Sequence, residues 1–213
     1  MNNKTLTIIG IVLGVILIGL IINLFINLKG SENMNTVNED TNQAVVLGNP
    51  NQVVVLETSK GNIEIELYAD KSPKTVANFI TYVNSGYYDG LVFHRVIKGF
   101  MVQGGGFNKF AVEKKTNPPI VLESNNGLKN LTGTVAMART SAPNSATSQF
   151  FISTVDNDFL DYAGTSNPGY AVFGKVIKGM EVVTEIENVK TGKRGSYSDW
   201  PTEDVVIIKA YLK

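Results

Sequence analysis

Cysteine is absent from this chain of 213 residues, and histidine occurs once, as His94. Without cysteine, the protein forms no disulfide, has no lipoprotein attachment site, and offers neither a thiol nucleophile nor thiolate ligands to a metal. With one histidine, it contains no H-E-x-x-H motif and no cluster of imidazole ligands. The sequence therefore predicts no metal site and no covalent hydrolysis that depends on these side chains.

The chain also lacks an excess of charge of either sign. Lys plus Arg and Asp plus Glu number 19 each, and no basic block stands out, so nucleic-acid binding is not expected. The glycine run at 104–106 belongs neither to a G-x-G-x-x-G motif nor to a G-x-x-x-x-G-K-[ST] motif. We interpret this run as backbone that needs unusual freedom, and we expect no nucleotide or other cofactor.

A long apolar segment opens the chain. Between Leu6 and Leu28 the non-apolar side chains are Thr7, Asn23 and Asn27, together with three glycines. A helix of this length, at ~1.5 Å per residue, spans the ~30 Å hydrocarbon core of a membrane. The run is longer than the ~7–15 residues of a signal-peptide core, and no A-x-A-like cleavage site follows. We therefore predict a short tail at 1–4 and a transmembrane signal anchor at 5–28, with a cleaved signal peptide as the alternative.

The positive charges on the two sides of the anchor are nearly balanced, because Lys4 precedes it and Lys29 follows it, so they do not predict its orientation in the membrane. We expect the amino terminus inside and the large domain outside the cytoplasm. Residues 29–51 are rich in asparagine and poor in aromatics, which predicts a flexible linker with too little apolar surface to fold alone. Residues 52–213 then suffice for one domain with its own core.

Alternation of apolar and polar side chains predicts strands in this domain. The clearest case is the second half of a strand pair at 53–70, where Ile63, Ile65 and Leu67 alternate with Glu64 and Glu66. Further strands are predicted at "LTGTVAMA", "SQFFIST", "YAVFGKVI" and "DVVIIKAYL".

Two segments have the 3.6-residue period of a helix, at 72–86 and at 179–189. In the first, Ser72 is a candidate cap and Pro73 stands at the first helical position. Many short strands with only two helices predict an antiparallel barrel or sandwich whose open ends the helices cover.

The stretch "FHRVIKGFMVQGGG" has the pattern of a hairpin with two possible registers. A two-residue loop at 98–99 sets Arg95 against Val102, whereas a three-residue loop at 98–100 sets Arg95 against Gln103. Three-residue loops often place one residue in the left-handed conformation, which a glycine adopts freely. This second register gathers Arg95, Met101 and Gln103 on one face.

His94 and Arg95 are neighbours on this strand, so their side chains point to opposite faces. We expect His94 to be a structural, hydrogen-bonded histidine and not a catalytic base. The residue types alone leave two interpretations of Arg95 at about equal weight, a functional cation or the ion-pair partner of a barrel carboxylate.

The hairpin motif, followed by "GTVAMART", "SATSQFFIS" and "YAVFGKV", resembles the cyclophilin family of peptidyl-prolyl cis-trans isomerases. The resemblance covers about residues 52–213. It implies a mainly β fold, a closed eight-stranded antiparallel β-barrel capped by two α-helices. It also implies an enzyme that rotates X–Pro peptide bonds without a covalent intermediate, here assisting protein folding near a membrane.

The same resemblance implies the residues of the site. Arg95 and Gln103 are then the catalytic residues, and the substrate is a proline-containing polypeptide whose proline rests on Phe151. The full set of substrate-binding residues is Phe100, Met101, Ala138, Arg139, Gln149, Phe151, Phe159, Leu160 and Tyr170.

Three of these residues depart from the pattern of many eukaryotic members. Arg139 replaces an asparagine, Phe159 a tryptophan and Tyr170 a histidine. The segment "ARTSAPNSATSQFF" instead resembles bacterial members, which are still isomerases. We therefore expect activity to be kept and cyclosporin, the drug that binds this family, to bind weakly.

A function from another class is also considered, a membrane-tethered proline-peptide binding module or chaperone whose turnover is incidental. A pure binder can lose Arg95 without losing its pocket. The presence of Arg95 together with Phe100, Gln103 and Phe151 favours catalysis.

Overall fold

The computed structural model describes residues 52–213, and within this range the chain forms ten strands and two α-helices. The predicted tail, anchor and linker, at 1–4, 5–28 and 29–51, lie outside the described residues. Within 52–213, none of the helices has both the length and the apolar character needed to cross a membrane.

Along the chain, ten short strands are interrupted by one α-helix after the second strand and another after the seventh. The strands are β1 (Val53–Thr58), β2 (Gly61–Leu67), β3 (Arg95–Ile97), β4 (Met101–Gly104), β5 (Thr134–Met137), β6 (Phe150–Ser153), β7 (Val172–Lys178), β8 (Thr191–Arg194), β9 (Tyr197–Pro201) and β10 (Ile207–Leu212). The helices are α1 (Pro73–Asn84) and α2 (Met180–Glu187), and a 3-10 helix covers Asp158–Leu160.

Eight of these strands form one antiparallel sheet in the order β10-β1-β2-β7-β5-β6-β4-β3. The other two, β8 and β9, pair as a separate ribbon. The predicted eight-stranded antiparallel sheet with two helices is therefore confirmed.

The prediction of a closed barrel is wrong, because β3 and β10 are the two edges of the sheet and no ladder joins them within 52–213. The segments that precede these strands do meet. Val92 faces Val206 in an isolated bridge, and the N–H of Phe93 donates to the carbonyl of Val205 at 3.0 Å. Closure needs edge strands that overlap with a matched stagger, and β3 has only three residues. The sheet is a curled half-barrel.

The alternation predicted in β2 is confirmed. Ile63, Ile65 and Leu67 are fully buried, whereas Glu64 and Glu66 keep partial exposure. Full burial of each aliphatic side chain contributes roughly 1.5–3 kcal/mol, so this face of β2 fixes the strand against the core.

Helix α1 starts at Pro73, as predicted, but Ser72 does not cap it. The Ser72 hydroxyl is buried and donates to the carbonyl of Val172 at 2.7 Å. The carboxylate of Glu123 takes its place, accepting the N–H groups of Lys74 (3.2 Å) and Thr75 (2.8 Å). A carboxylate at a helix N-terminus also complements the helix dipole.

The two helices bury one face each. In α1, Phe79 packs its ring against Tyr88, Phe150 and Phe173, with centroid separations of 5.3, 5.5 and 5.0 Å. In α2 the fully buried residues are Val183 and Ile186. The central aromatic cluster supports β6, which carries part of the site described below.

The β3–β4 hairpin has the three-residue loop. Arg95 pairs with Gln103 and Ile97 with Met101, so the register that gathers the polar side chains on one face is confirmed. Gly99 takes a φ of +69° in the loop, and its N–H donates to Glu187 Oε1 at 2.7 Å.

The glycine run at 104–106 lies where the backbone touches its neighbours. Gly105 has a φ of +84°, and a Cβ there would lie 2.8 Å from the carbonyl oxygen of Ser148 and 2.9 Å from Cε1 of Tyr88. Both the conformation and the space therefore require glycine, which confirms the predicted backbone freedom.

Gly105→Ala and Gly99→Ala separate these two requirements. A Cβ at Gly99 meets nothing within 4 Å, so alanine there adds only left-handed strain, about 1–2 kcal/mol. At Gly105 the forced overlap adds roughly 1–3 kcal/mol to the same strain. We expect urea denaturation to show the larger loss of unfolding free energy for Gly105→Ala. Equal losses for the two variants would contradict the close approach.

Candidate active site

A cavity of about 190 Å³ opens on the face of β3 and β4 that carries Arg95. We call it the Arg95 cavity. Nine of the eleven predicted site residues line it: Arg95, Phe100, Met101, Gln103, Ala138, Arg139, Phe151, Leu160 and Tyr170. Sites for drug-sized ligands and cofactors usually measure ~300–1,000 Å³, so this cavity suits a single side chain or ring.

The floor of the Arg95 cavity is apolar and almost closed to solvent. Met101, Phe151 and Leu160 are 1%, 4% and 8% exposed. They form a small core cluster of their own with Ala136 and Val172, separate from the main core. The floor is therefore rigid and dry, as a site for an apolar ring requires.

The polar wall consists of Arg95 and two amides in series. Arg95 Nη1 donates to Gln103 Oε1 at 3.3 Å, and Gln103 Nε2 donates to Gln149 Oε1 at 2.9 Å. Within residues 52–213, Arg95 takes part in none of the ion pairs. The interpretation of Arg95 as the partner of a carboxylate is therefore not supported, and its charge faces a neutral amide.

The opposite wall is built by Arg139 and Tyr170. Arg139 Nε donates to the carbonyl of Gly169 at 2.9 Å, and Nη1 donates to that of Thr140 at 2.8 Å. Its guanidinium carbon lies 4.5 Å from the centroid of the Tyr170 ring, which packs edge-on against Phe151 at 5.7 Å. These contacts fix a second cation at the rim.

Two predicted site residues lie beside the Arg95 cavity and do not line it. Gln149 reaches the site through its bond to Gln103. Phe159 is 65% exposed, and its ring centroid is 5.5 Å from that of Phe100. Phe159 therefore extends the apolar rim outward.

A second cavity, of about 200 Å³, adjoins the first and shares Gln103, Ala138 and Arg139 with it. Sequence reasoning missed four residues of its lining: Glu113, Thr140, Ser145 and Thr147. The available signal was the concentration of Ser and Thr between "AMART" and "SQFFIS". The two cavities therefore share one wall.

Sequence reasoning also missed the residues that hold the pocket from behind. Asn157 Nδ2 donates to the carbonyl of Phe100 at 3.0 Å, and Asn130 Nδ2 donates to that of Leu160 at 3.1 Å. Burial alone raises the pKa of the Asp161 carboxyl. The hydrogen bonds from Asn130 and the ion pair with Lys129 outweigh it and lower that pKa.

His94 lies on the opposite face from Arg95, as predicted, and is 2% exposed. Its ring packs 4.7 Å from Phe107 and 5.8 Å from Trp200. Hydrogen bonds link His94 to the backbone of Val92 and to the side chain of Gln149, so the expectation of a structural, hydrogen-bonded histidine is confirmed. Burial lowers the pKa of His94 to about 4, against weaker opposing bonds from Val92 and Gln149. Its packing indicates a structural role.

Other parts of the described chain hold less chemistry. A larger cavity of about 630 Å³ runs between Ser59 and Asp204, away from every predicted site residue, and an ion pair of Lys60 with Glu185 borders it. Within residues 52–213, no group of three or more His, Asp or Glu side chains is placed to hold a metal ion.

Comparison with known proteins adds a family to this geometry. A family model described as "Cyclophilin type peptidyl-prolyl cis-trans isomerase/CLD" matches residues 53–212. The chain is 57% identical over 159 residues to peptidyl-prolyl cis-trans isomerase A of Dickeya dadantii, a match that covers 75% of this chain and 83% of that protein. It is 53% identical over 157 residues to peptidyl-prolyl cis-trans isomerase B of Escherichia coli, covering 73% and 96%.

Among solved structures, the chain is similar to a cyclophilin type peptidyl-prolyl cis-trans isomerase of Cryptosporidium parvum, crystallised in the presence of the dipeptide Ala-Pro. The TM-score is 0.64 at 30% identity, and the match covers 76% of this chain and 99% of that chain.

The low pKa of buried His94 makes the stability of the protein depend on pH. The unfolded chain takes up a proton near pH 6.5, whereas the folded chain does so only near pH 4. The contribution of His94 to the unfolding free energy therefore falls between these values as pH decreases, by about 3 kcal/mol in total, and this contribution does not change further below pH 4. We expect urea denaturation at several pH values to show this loss and His94→Phe to abolish it.

Two hydrogen-bonded carboxyl groups, one exposed and one buried, provide the internal comparison. The pKa values of Asp156 and Asp161 are lowered from 3.8, so the stability that they contribute is lost only below about pH 4. His94→Phe should leave this acid limb unchanged. A loss between pH 6.5 and 4 that survives in His94→Phe would contradict the assignment.

Proposed function

Because the chain belongs to the cyclophilin family of peptidyl-prolyl cis-trans isomerases and is an isomerase of this kind, we propose that catalysis takes place in the Arg95 cavity. One observation carries the proposal. Within the described residues, a guanidinium bonded to a neutral amide, and not to a carboxylate, stands at the edge of a pocket that has an apolar floor and the size of one ring.

Isomerisation of an X–Pro bond requires no covalent bond to be made or broken. Rotation about an X–Pro bond has a barrier of roughly 18–20 kcal/mol because amide resonance is lost as the bond twists. Uncatalysed exchange takes about 10–100 s. An enzyme accelerates it by binding the twisted bond more tightly than either planar isomer.

Arg95 supplies a group that distinguishes the two states. As the bond twists, the prolyl nitrogen becomes pyramidal and gains a lone pair, which an N–H of the guanidinium can meet. The planar amide nitrogen accepts such a bond poorly, so the interaction strengthens in the transition state. The Gln103 amide holds one edge of the guanidinium, and the dry floor beneath it strengthens the electrostatic effect.

The remaining lining residues hold the substrate. Met101, Phe151 and Leu160 receive the proline ring by burial of apolar surface, and Phe100 closes one side, 5.9 Å from the Arg95 guanidinium. The Gln103 and Gln149 amides, together with the backbone of Ala138, hold the adjacent peptide.

Substrates of this site are proline-containing polypeptides. The relative from Cryptosporidium parvum was crystallised in the presence of Ala-Pro, which supports a proline-containing ligand for the matching pocket here. The curated relatives are named as isomerases, so a binding module with incidental turnover is not favoured. Weak cyclosporin binding stays a prediction, based on Arg139, Phe159 and Tyr170.

The amino-terminal segment gives this activity a proposed location. We propose that residues 5–28 anchor the protein in a membrane, that 29–51 tether the domain, and that the domain assists folding outside the cytoplasm. The composition of the segment supports this, with 23 residues from Leu6 to Leu28 and no charge among them.

Arg95→Ala tests the catalytic proposal. Loss of one hydrogen-bond donor aimed at a transition state costs about 10²–10³-fold in rate, so kcat/KM should fall by that factor. The measurement is cis–trans exchange in a short X–Pro peptide by NMR, with the full-length chain. Peptide affinity should change far less, because the apolar floor remains.

Lys98→Ala is the matched control, since Lys98 is an exposed cation on the same hairpin. It should exchange the peptide at the wild-type rate. If Arg95→Ala kept its kcat/KM, or if Lys98→Ala lost it equally, the role of Arg95 would be refuted.

The anchor has its own test. We expect the full-length chain to stay with membranes through extraction at alkaline pH and to lose this retention when residues 5–28 are deleted. Release of the intact chain into the extract would contradict the anchor. A mature chain shortened at its amino terminus would favour the cleaved signal peptide.

A further inference from the structure

The loop at 107–113, which follows β4, presents two large apolar side chains to solvent. Phe110 is 74% exposed and Val112 is 58% exposed. Single exposed apolar residues are ordinary on protein surfaces. Here two of them stand on one loop whose backbone is held by several hydrogen bonds.

Asn108 holds the loop from within. Its Oδ1 accepts the N–H groups of Phe110 at 2.9 Å and Val112 at 3.1 Å. Its own N–H donates to the carbonyl of Val112 at 3.1 Å. Ala111, between the two apolar residues, has a φ of +59°, a left-handed conformation that residues other than glycine rarely adopt. These hydrogen bonds hold the turn in a conformation that exposes both side chains.

The loop is also fixed from outside. Arg194 Nη1 donates to the carbonyl of Lys109 at 3.1 Å, and the Phe107 ring packs 6.0 Å from that of Trp200. Phe107 faces Glu113 in an isolated bridge at the base of the loop. Because this ordering precedes any binding, a partner that covers Phe110 loses little additional entropy in the loop.

The loop continues the substrate site. Glu113, at its end, lines the second cavity together with Gln103 and Gln149. Phe110 lies three positions before Glu113, so their Cα atoms are at most about 10 Å apart. A polypeptide that crosses both cavities therefore reaches Phe110 and Val112 with residues a few positions from its proline.

We propose that the loop at 107–113 is a docking surface for an apolar segment of an unfolded polypeptide whose proline occupies the Arg95 cavity. This inference rests on the proposed function for the position of the proline. It gives the enzyme a higher affinity for unfolded proteins with apolar side chains near proline than for short peptides.

The charges beside the loop favour a polypeptide over an anionic membrane. The Lys109 ammonium lies 5.2 Å from the Phe110 ring centroid, Lys114 Nζ donates to the carbonyl of Tyr87 at 2.6 Å, and Arg194 pairs with Asp204. These three cations thus have partners within the protein, and Glu113 adds a negative charge. Surfaces that recognise anionic lipids instead present clusters of free cations.

The first experiment compares two substrates on the full-length chain with Phe110→Ser and Val112→Ser combined. For a short X–Pro peptide, kcat/KM should stay within about twofold, because the peptide fills only the cavities. For an unfolded protein whose refolding is limited by X–Pro isomerisation, acceleration should fall roughly tenfold, the value of partly burying a phenylalanine.

Ile177→Ser and Ile208→Ser combined are the matched control, since these side chains are 53% and 58% exposed on β7 and β10. This control should keep both activities. Unchanged refolding by the loop variant, or an equal loss in the control, overturns the docking surface. If the wild-type protein did not accelerate cis–trans exchange in the short peptide, the proposed function would be refuted instead.

A fluorescent reporter identifies the occupant. Phe110→Trp adds an exposed indole to a chain whose single tryptophan, Trp200, is 1% exposed. Its emission should shift to the blue when unfolded protein is added. A shift with phosphatidylserine vesicles and none with unfolded protein overturns the proposal in favour of a membrane surface.

Discussion

The three-residue loop between β3 and β4 sets Arg95 opposite Gln103, and the arrangement of the whole site depends on this pairing. A two-residue loop would have placed Val102 opposite Arg95, and a slip of one residue turns a strand's side chains to the other face. With the observed register, Gln103 holds the guanidinium and Met101 completes the apolar floor. One backbone choice therefore brings a cation and a dry surface together.

The same strand separates two environments. Arg95 faces the cavity, and His94, one residue earlier, is buried against Phe107 and Trp200 under the β8–β9 ribbon. Burial keeps the His94 ring neutral at pH 7, so it adds no second positive charge behind Arg95. The ribbon thus acts as a support for the hairpin, and its packing couples stability to pH through a residue that faces away from the substrate site.

Two predictions about the fold failed, one at a helix cap and one at the edges of the sheet. Ser72 has the chemistry of a helix cap, yet its hydroxyl bonds to Val172 and Glu123 caps α1 instead. The closed barrel that the family resemblance implied is absent, because β3 has only three residues and forms no ladder with β10. At Ser72 the local pattern was sound, but contacts of Val172 and Glu123, far along the chain, decided the outcome.

The sequence by itself determined the alternation of β2, the start of α1, the hairpin that carries Arg95 and the family to which the chain belongs. These depend on local spacing and on motifs in fixed order, which are properties of neighbouring residues. Only the tertiary structure decided the second cavity, the anchoring of Arg139 on Gly169 and Tyr170, and the continuity of the 107–113 loop with the site. These features join segments separated by tens of residues. The contacts between such segments form only on folding, so the spacing of neighbouring residues does not predict them.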